Sequence, residues 1–362
     1  MSDEKTKKAK GIRLSNKHAF IALAIALSVM LVVLIAVLVS TLPDNPLAPE
    51  AAVTQAGVDP VLTLSGPGSG DAPVFDRPLG VAFGENGRVY VSDTGNNRVC
   101  AFDSQGVFLF EFGGFGVAKP LQGIQSTWDP GELNFPAGID VGPDGNVYVA
   151  DFRNDQVQVF TADGEFVRAF PDPQSPVGKG SSGQDGTGVA ATDVEVDGDL
   201  VYVTDQYQVI VFTTEGEFVE QFGKPGVEVG SMDHPNGLAV AQDGTLYVAD
   251  SNHNRVMAFD SEREVIWTLG DPQGFSAEQS EAVLELPRGL AVDDEGNILV
   301  VDTFNFSVVR VSPDGVVLDT FGERGTEAGQ FNFPNDVDVQ GELLLVADKE
   351  NDRVQVVRVV NK

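Results

Sequence analysis

The chain has few of the residues on which disulfide-rich scaffolds and common catalytic motifs depend. It contains one cysteine, Cys100, and three histidines among 362 residues. A lone cysteine excludes a disulfide framework within the chain, so any folded domain must rely on a packed core. No Gly-x-Ser-x-Gly nucleophile elbow, phosphate-binding glycine loop or Cys-x-x-Cys pair occurs. The sequence therefore carries none of the short motifs that would identify an enzyme class.

Positive charge is also scarce. The chain has 23 Lys and Arg residues against 54 Asp and Glu residues, which gives a formal net charge of −31. Such a surface repels the phosphates of nucleic acids and anionic lipid headgroups. We therefore expect no nucleic-acid partner.

One motif, in contrast, is abundant. A short apolar run ending in Asp recurs six times, and in three copies Arg-Val follows five residues later. The six Asp residues are Asp93, Asp151, Asp205, Asp250, Asp302 and Asp348. They are 58, 54, 45, 52 and 46 positions apart, and a period of this length is typical of propeller blades rather than helical repeats.

Each repeat predicts four short antiparallel strands. A Pro-x-Gly or a variant precedes alternating apolar residues and a tight turn, as in the segment 135–145, and a second glycine turn such as Asp103–Gly106 follows the apolar run. An amphipathic helix would need a 3.6-residue period over about ten positions or more. No such period appears in the repeats.

The repeat residues carry a family resemblance. The lead-in Gly-Gln-Phe-Asn-Phe-Pro at 329–334, the core Val-Ala-Asp-x-x-Asn-x-Arg-Val at 346–354 and a closing Phe-Gly resemble NHL repeats over roughly residues 60 to 360. This resemblance implies an all-β, six-bladed NHL-type β-propeller. It leaves the function open, because similar propellers serve as binding platforms, lyases and sensor domains.

Ring closure is predicted from the two ends of the repeat region. The sixth repeat stops after its third strand, near Val360, while the segment 61–66 resembles the fourth strand of the other repeats, such as 265–270. We therefore expect the N-terminal strand to complete the last blade, which removes an exposed sheet edge.

A membrane anchor is predicted ahead of the propeller. Residues 19–39 carry no charge and one polar side chain, Ser28, and six Lys or Arg residues precede them. As a helix this run is long enough to span a bilayer, and the positive-inside rule places the N-terminus in the cytoplasm. The expected domains are a cytoplasmic tail (1–18), a transmembrane helix (19–40), a stalk (41–59) and an extracytoplasmic propeller (60–362). The predicted location is the cell membrane, with a single pass.

Departures from the repeat indicate candidate ligand-binding residues. Four repeats start their innermost strand with Gly, whereas the third and sixth have Asp193 and Asp336, three steps apart in a six-fold ring. The preceding positions include Asn236, Arg288 and Asn335. These five residues predict a polar ring at the mouth of the central channel. The alternatives are a hydrated channel that binds nothing, and a bound small polar ligand or divalent cation such as calcium held by Asp193 and Asp336.

The loops between second and third strands vary in a second way. They carry aromatic or cationic residues where the repeat has none, on the same side as the longest inter-blade insertions (114–133, 171–189 and 271–285). These residues are Phe152, Arg153, Tyr207, His253, Phe304 and Phe306. Exposed aromatics beside Gly- and Ser-rich loops are typical of an interface. We interpret the chain as a binding or sensing platform for a protein, peptide or glycan. The alternative is a metal-dependent lyase or lactonase at the channel mouth.

Overall fold

The computed structural model describes residues 57–67, 74–118, 128–172, 189–270 and 284–360. The predicted cytoplasmic tail, the transmembrane helix and most of the stalk lie outside these ranges. Within them, no helix has the length and hydrophobicity needed to cross a membrane. The first strand starts at Gly57, three residues before the predicted start of the propeller.

The first three repeats each fold into a four-stranded antiparallel sheet, paired in chain order. Sheet 1 contains β2 (Val81–Phe83), β3 (Val89–Asp93), β4 (Arg98–Phe102) and β5 (Phe108–Gly113). Sheet 2 contains β6 (Pro136–Val141), β7 (Val147–Asp151), β8 (Gln156–Phe160) and β9 (Phe166–Phe170). Sheet 3 contains β10 (Val194–Asp197), β11 (Leu200–Asp205), β12 (Gln208–Thr213) and β13 (Phe218–Phe222).

The last three repeats form the same kind of sheet. Sheet 4 contains β14 (Pro235–Val240), β15 (Leu246–Asp250), β16 (Arg255–Phe259) and β17 (Val265–Gly270). Sheet 5 contains β18 (Pro287–Val292), β19 (Ile298–Asp302), β20 (Ser307–Val311) and β21 (Val317–Phe321). Sheet 6 contains β22 (Pro334–Gln340), β23 (Leu343–Asp348), β24 (Arg353–Val360) and, as its fourth strand, β1 (Gly57–Leu64).

The sixth sheet confirms the predicted ring closure. β1 pairs antiparallel with β24, and the register places Leu62 opposite Val356 and Leu64 opposite Val354. Two segments almost 300 residues apart therefore share one sheet. This pairing covers the edge that β24 would otherwise expose.

The first strands of the six sheets surround the central channel. β2, β6, β10, β14, β18 and β22 each pack against the first strand of the next sheet, and β22 packs against β2. Six clusters of buried apolar side chains lie between neighbouring sheets, one at each interface. The core is thus distributed round the ring, and each sheet is held by both of its neighbours.

The repeated Asp stabilises the loops at one end of each sheet. Asp250 is fully buried; its Oδ1 accepts a hydrogen bond from the Asp233 amide (2.7 Å), and its Oδ2 accepts one from Arg255 Nε (2.8 Å). Asp93, Asp151, Asp302 and Asp348 make the same bond to an amide 16 or 17 residues upstream. In these five sheets the carboxylate therefore ties the inter-blade link to the loop after the second strand.

Short 3-10 helices form several of these loops. Four follow the repeated Asp, at Thr94–Asn96, Phe152–Asn154, Ser251–His253 and Lys349–Asn351, and a fifth, Glu85–Gly87, lies in the first turn of sheet 1. In an antiparallel four-stranded blade, the loop after the second strand and the link to the next blade emerge on the same side. We call this side of the propeller the link face.

Candidate functional site at the channel mouth

Inside the channel, five carboxyl side chains line one cavity of about 170 Å³. They come from the first strands of sheets 2, 3 and 6, or from the residue just before the strand. They are Asp140, Asp193, Glu195, Asp336 and Asp338. We call them the channel carboxyls.

Each channel carboxyl accepts a backbone hydrogen bond from the next sheet. Asp193 Oδ2 accepts from the Leu238 amide at 2.8 Å, and Asp336 Oδ2 accepts from the Val81 amide at 3.0 Å. The corresponding bonds of the other three are Val196 N–H to Asp140 (2.7 Å), Val240 N–H to Glu195 (3.1 Å) and Phe83 N–H to Asp338 (2.6 Å). The first strand of a blade has a free edge whose N–H groups need acceptors, and these side chains supply them.

Glycines on the preceding sheets make room for two of these carboxyls. A Cβ added to Gly138 would lie 2.0 Å from Asp193 Oδ1, and one added to Gly289 would lie 2.0 Å from Asp336 Oδ1. Any larger residue at either place would displace the carboxyl. Gly138 and Gly289 are therefore the packing partners of Asp193 and Asp336, the two residues that replace the repeated Gly.

Burial raises the pKa of every channel carboxyl. It raises the pKa of Asp140 to about 6 and those of Asp193 and Asp338 to about 7. The pKa values of Glu195 and Asp336 lie well above their ordinary range, mainly because of burial and further because of neighbouring carboxylates. Asp193 raises the pKa of Asp336, which agrees with their placement in one cavity wall. Near neutral pH the cluster holds protons that exposed carboxyls would release.

The mouth of the channel on the link face is a separate cavity of about 280 Å³. It is lined by the residue that directly precedes the repeated Gly, or the Asp that replaces it, in all six repeats: Leu79, Ala137, Thr192, Asn236, Arg288 and Asn335. Phe135, Phe152 and Lys349 complete the lining. We call this the mouth cavity.

Arg288 supplies positive charge to the mouth cavity. Its Nη1 donates to Asn335 Oδ1 at 3.0 Å, and Asn335 Nδ2 donates in turn to the Leu79 carbonyl at 3.0 Å. Burial lowers the pKa of the Arg288 guanidinium from its ordinary value, and no carboxylate among the described residues opposes this effect. Asn236 is already bonded to the His234 carbonyl (2.9 Å) and Ser251 Oγ (3.1 Å).

The structure divides the predicted polar ring into two layers. Asn236, Arg288 and Asn335 line the mouth cavity, whereas Asp193 and Asp336 lie deeper, among the channel carboxyls. The sequence interpretation missed Asp140, Glu195 and Asp338. The signal was available for Glu195 and Asp338, because each lies two residues after a predicted Asp and so on the same strand face. Asp140 stands at the equivalent position in sheet 2.

Three predicted partner-binding residues belong to aromatic and cationic clusters on the link face. Phe152 contacts Phe135 with ring centroids 5.9 Å apart, and the Arg153 guanidinium lies 4.6 Å from the centre of the Phe135 ring. Tyr207 forms an edge contact with His234, at 6.0 Å between ring centroids.

A further cluster on the link face lies between sheets 5 and 6, across the ring from Phe152. Phe304 and Phe306 both contact Phe333 edge to face, with centroids 5.8 and 5.0 Å apart. The Arg324 guanidinium lies 5.0 Å from the centre of the Phe306 ring. Phe304 is 45% exposed, so part of this cluster is open to a partner.

His253 does not fit the predicted role. Its side chain is buried, and its Nδ1 lies 2.8 Å from Asp250 Oδ2. The same carboxylate already binds Arg255. His253 therefore belongs to the scaffold of sheet 4, because the buried Asp draws the ring inward rather than leaving it at the surface.

The described residues contain no group of three or more His, Cys, Asp or Glu side chains placed to hold a metal ion. The proposed cation ligands Asp193 and Asp336 are both engaged by backbone amides.

A cavity of about 660 Å³ lies on the opposite face, between sheets 1 and 2. Its Arg88 and Tyr90 side chains both donate hydrogen bonds to the Ala162 carbonyl.

Two family descriptions match parts of the chain. Residues 75–102 and 133–160 match the NHL repeat, and residues 219–322 match the "SMP-30/Gluconolactonase/LRE-like region". The six sheets form a six-bladed β-propeller, and the two matched segments in its sheets 1 and 2 are similar to NHL repeats.

Among curated proteins, the chain is similar to human NHL repeat-containing protein 3, with 26% identity over 160 residues. The match covers 41% of this chain and 44% of that protein. This chain spans less than half the length of the curated relatives that it matches first.

Solved structures share the fold at low identity. A gluconolactonase from Xanthomonas campestris superimposes with a TM-score of 0.54 and 17% identity, covering 86% of this chain and 99% of that one. Virginiamycin B lyase from Staphylococcus aureus gives a TM-score of 0.53 and 12% identity, covering 83% and 99%. At these identities the likeness shows the fold alone.

Proposed function

We propose that this protein is a membrane-anchored, extracytoplasmic binding or sensing platform that engages a protein, peptide or glycan through the link face. The anchor is residues 19–40, and the propeller is held outside the membrane by the stalk that follows. The resemblance to NHL repeat proteins supports a protein partner at a coarse level.

The observation that carries this proposal is the exposure of large apolar side chains on loops of the link face. They lie in inter-blade links and in a loop after a second strand, outside the strands β1 to β24. They are Val74, Phe115, Val227, Val229 and Phe304. Exposed apolar groups next to cations are typical of an interaction surface, because a partner can cover the former and pair with the latter.

The test compares two exposed apolar residues at different places. Phe304 lies on the link face and is 45% exposed, and Leu318 lies on the outer strand β21 and is 42% exposed. In photo-cross-linking of the full chain in its native membrane, Phe304→Ser is expected to lose the cross-linked partner, while Leu318→Ser retains it. Equal partner recovery from the two variants would contradict the use of this face.

Membrane topology has its own experiment. Cys100 is buried, and burial raises the pKa of its thiol to about 12, so it does not react with maleimides. A cysteine placed at exposed Val316 should label with a membrane-impermeant maleimide on intact cells. A cysteine at Ser2 should label only after lysis. The reverse pattern would refute the proposed orientation.

A metal-dependent lyase or lactonase is the competing proposal. The match of residues 219–322 to the gluconolactonase-like description and the acidic channel favour it. Asp193 and Asp336 would then hold the divalent ion. A rise in melting temperature with calcium, magnesium or zinc, lost in Asp193→Asn/Asp336→Asn, would support the enzyme over the platform.

A further inference from the structure

Arg288 differs from the other arginines in the described part of the chain. Nine of them, including Arg98, Arg255 and Arg353, have a carboxylate within 4 Å. Arg153 and Arg324 have none, but they are exposed and lie over phenylalanine rings. Arg288 is partly buried and lines the mouth cavity, and its hydrogen bond goes to a neutral amide oxygen.

This arrangement is unfavourable for the protein alone. A guanidinium that loses water without gaining a negative partner carries a free-energy cost. The lowered pKa of Arg288 reflects the same cost. With 54 Asp and Glu residues in the chain, carboxylates are plentiful, yet none in the described part lies beside this side chain. The cavity thus holds a positive charge whose hydrogen-bonding capacity is largely unused.

The surroundings of Arg288 limit what could bind there. Other polar groups of the lining are already engaged: Asn236 and Asn335 donate to backbone carbonyls, Thr192 Oγ1 bonds the Pro235 carbonyl (2.8 Å), and Lys349 pairs with Glu350 (2.8 Å). The opposite wall is apolar, with Phe135 and Phe152 in contact. Arg288 is therefore the cation of the lining that has no carboxylate partner among the described residues, and Phe135 and Phe152 present an apolar surface to the same cavity.

We propose that the mouth cavity binds a carboxylate carried on a small apolar group, with the carboxylate on Arg288 and the apolar group against Phe135 and Phe152. The guanidinium fork matches the two oxygens of a carboxylate. The cavity, at about 280 Å³, suits a ligand fragment about the size of one residue. A net charge of −31 opposes the approach of polyanions. This inference rests on the proposed binding function and names a ligand class for it.

Two sources could supply such a group: a free aryl- or alkyl-carboxylic acid, or the C-terminal residue of a peptide. The experiment uses a probe for each, titrated into the 362-residue chain by calorimetry. The first pair is 3-phenylpropanoate and its uncharged amide, and the second is glycyl-phenylalanine and its C-terminal amide. We expect the acids to bind and the amides not to bind. Binding of both acids indicates a general carboxylate site, and binding of the dipeptide alone indicates a peptide C-terminus.

Substitutions identify the residue responsible. Arg288→Gln is expected to weaken acid binding by about tenfold or more, because it removes charge-assisted hydrogen bonds to the carboxylate. Arg288→Lys keeps the charge but lacks the planar guanidinium, so its affinity for the acids should lie between those of the wild type and Arg288→Gln. Arg324→Gln, on the exposed cation over Phe306, is the matched control and should bind as the wild type does.

A measurement of thermal stability provides a second test of the inference. Because Arg288 has no charged partner in the described part of the chain, Arg288→Gln should melt at the same temperature as the wild type or higher, in the absence of acid. Equal binding of acid and amide, unchanged binding by Arg288→Gln, or no heat from either acid at millimolar concentration would overturn the inference. In the last case, loss of the partner in Phe304→Ser would still support the platform.

Discussion

The polar residues inside the channel and those at its mouth make different kinds of contact. The channel carboxyls come from the first strands of sheets 2, 3 and 6 or from the residue just before the strand, whereas Asn236 and Arg288 of the mouth cavity come from the first strands of sheets 4 and 5. Inside, each carboxyl is bonded to an amide of the neighbouring sheet. At the mouth, Asn236 and Asn335 donate to carbonyls or to side chains of loops, and Arg288 has one hydrogen bond, to Asn335, within the described part of the chain.

This difference distinguishes polar residues that join the sheets from polar residues that are available to a ligand. A departure from the repeat that joins two sheets by a hydrogen bond is explained by the ring itself. A departure that leaves a desolvated charge facing a cavity has no such explanation. The channel carboxyls therefore serve first to join the sheets of the inner ring, whereas the charge and the hydrogen-bond donors of Arg288 favour binding of a ligand.

The largest expected effect comes from removing the acceptors inside the channel. Asp193→Ala/Asp336→Ala leaves the amides of Leu238 and Val81 without their partners, at a cost of about 1–3 kcal/mol for each buried donor. Asp193→Asn/Asp336→Asn keeps an oxygen acceptor of the same shape and should lose much less. Calorimetric unfolding at pH 5 compares them. Equal stability of the Ala and Asn pairs would remove the structural role assigned to these carboxyls.

The second effect is the dependence of stability on pH. The folded pKa values of Asp140, Asp193 and Asp338 are raised to about 6 to 7, whereas an unfolded Asp titrates near about 3.9. A raised carboxyl pKa means that the folded state binds the proton more tightly. The associated stability is full below the unfolded pKa and is lost as the pH rises through the folded pKa.

The melting temperature should therefore be several degrees higher at pH 5 than at pH 8. Asp151 and Asp302, with pKa values raised by burial to about 6 and about 7, act in the same direction. The contribution of the channel is isolated by Asp193→Asn/Asp336→Asn, which should show a smaller difference between the two pH values. A pH dependence identical to that of the wild type would mean that these two groups are ionised at neutral pH in the folded state.

The smallest effect is expected at the mouth. Asn236→Ala removes hydrogen bonds to the His234 carbonyl and Ser251 Oγ in a partly exposed position, so its cost should be below about 1 kcal/mol. Urea denaturation measures it. A loss as large as that of an interior Ala variant would show that the mouth also holds the ring together.

The number of blades, their strand order and the closure by β1 were predictable from the sequence, because strand alternation and glycine turns are local signals. The division of the polar ring was not. The alignment of repeats grouped Asp193 with Asn236 and Arg288, but adjacent strand positions point to different depths or faces once the strands tilt round a channel. The position of His253 also depended on the buried Asp250, a contact that composition does not reveal.

A six-fold repeat of four strands, a strongly acidic surface and a single cysteine can all be derived from the amino-acid sequence, since they follow from spacing, turn residues and composition. Which polar residues are bonded and which remain available depends on the folded ring. Asp336 meets Val81 across 255 positions, and Asp193 meets Leu238 across 45. Desolvation and hydrogen bonding act between neighbours in space, so the folded ring alone makes the interior carboxyls a joint between sheets and leaves Arg288 facing an open cavity.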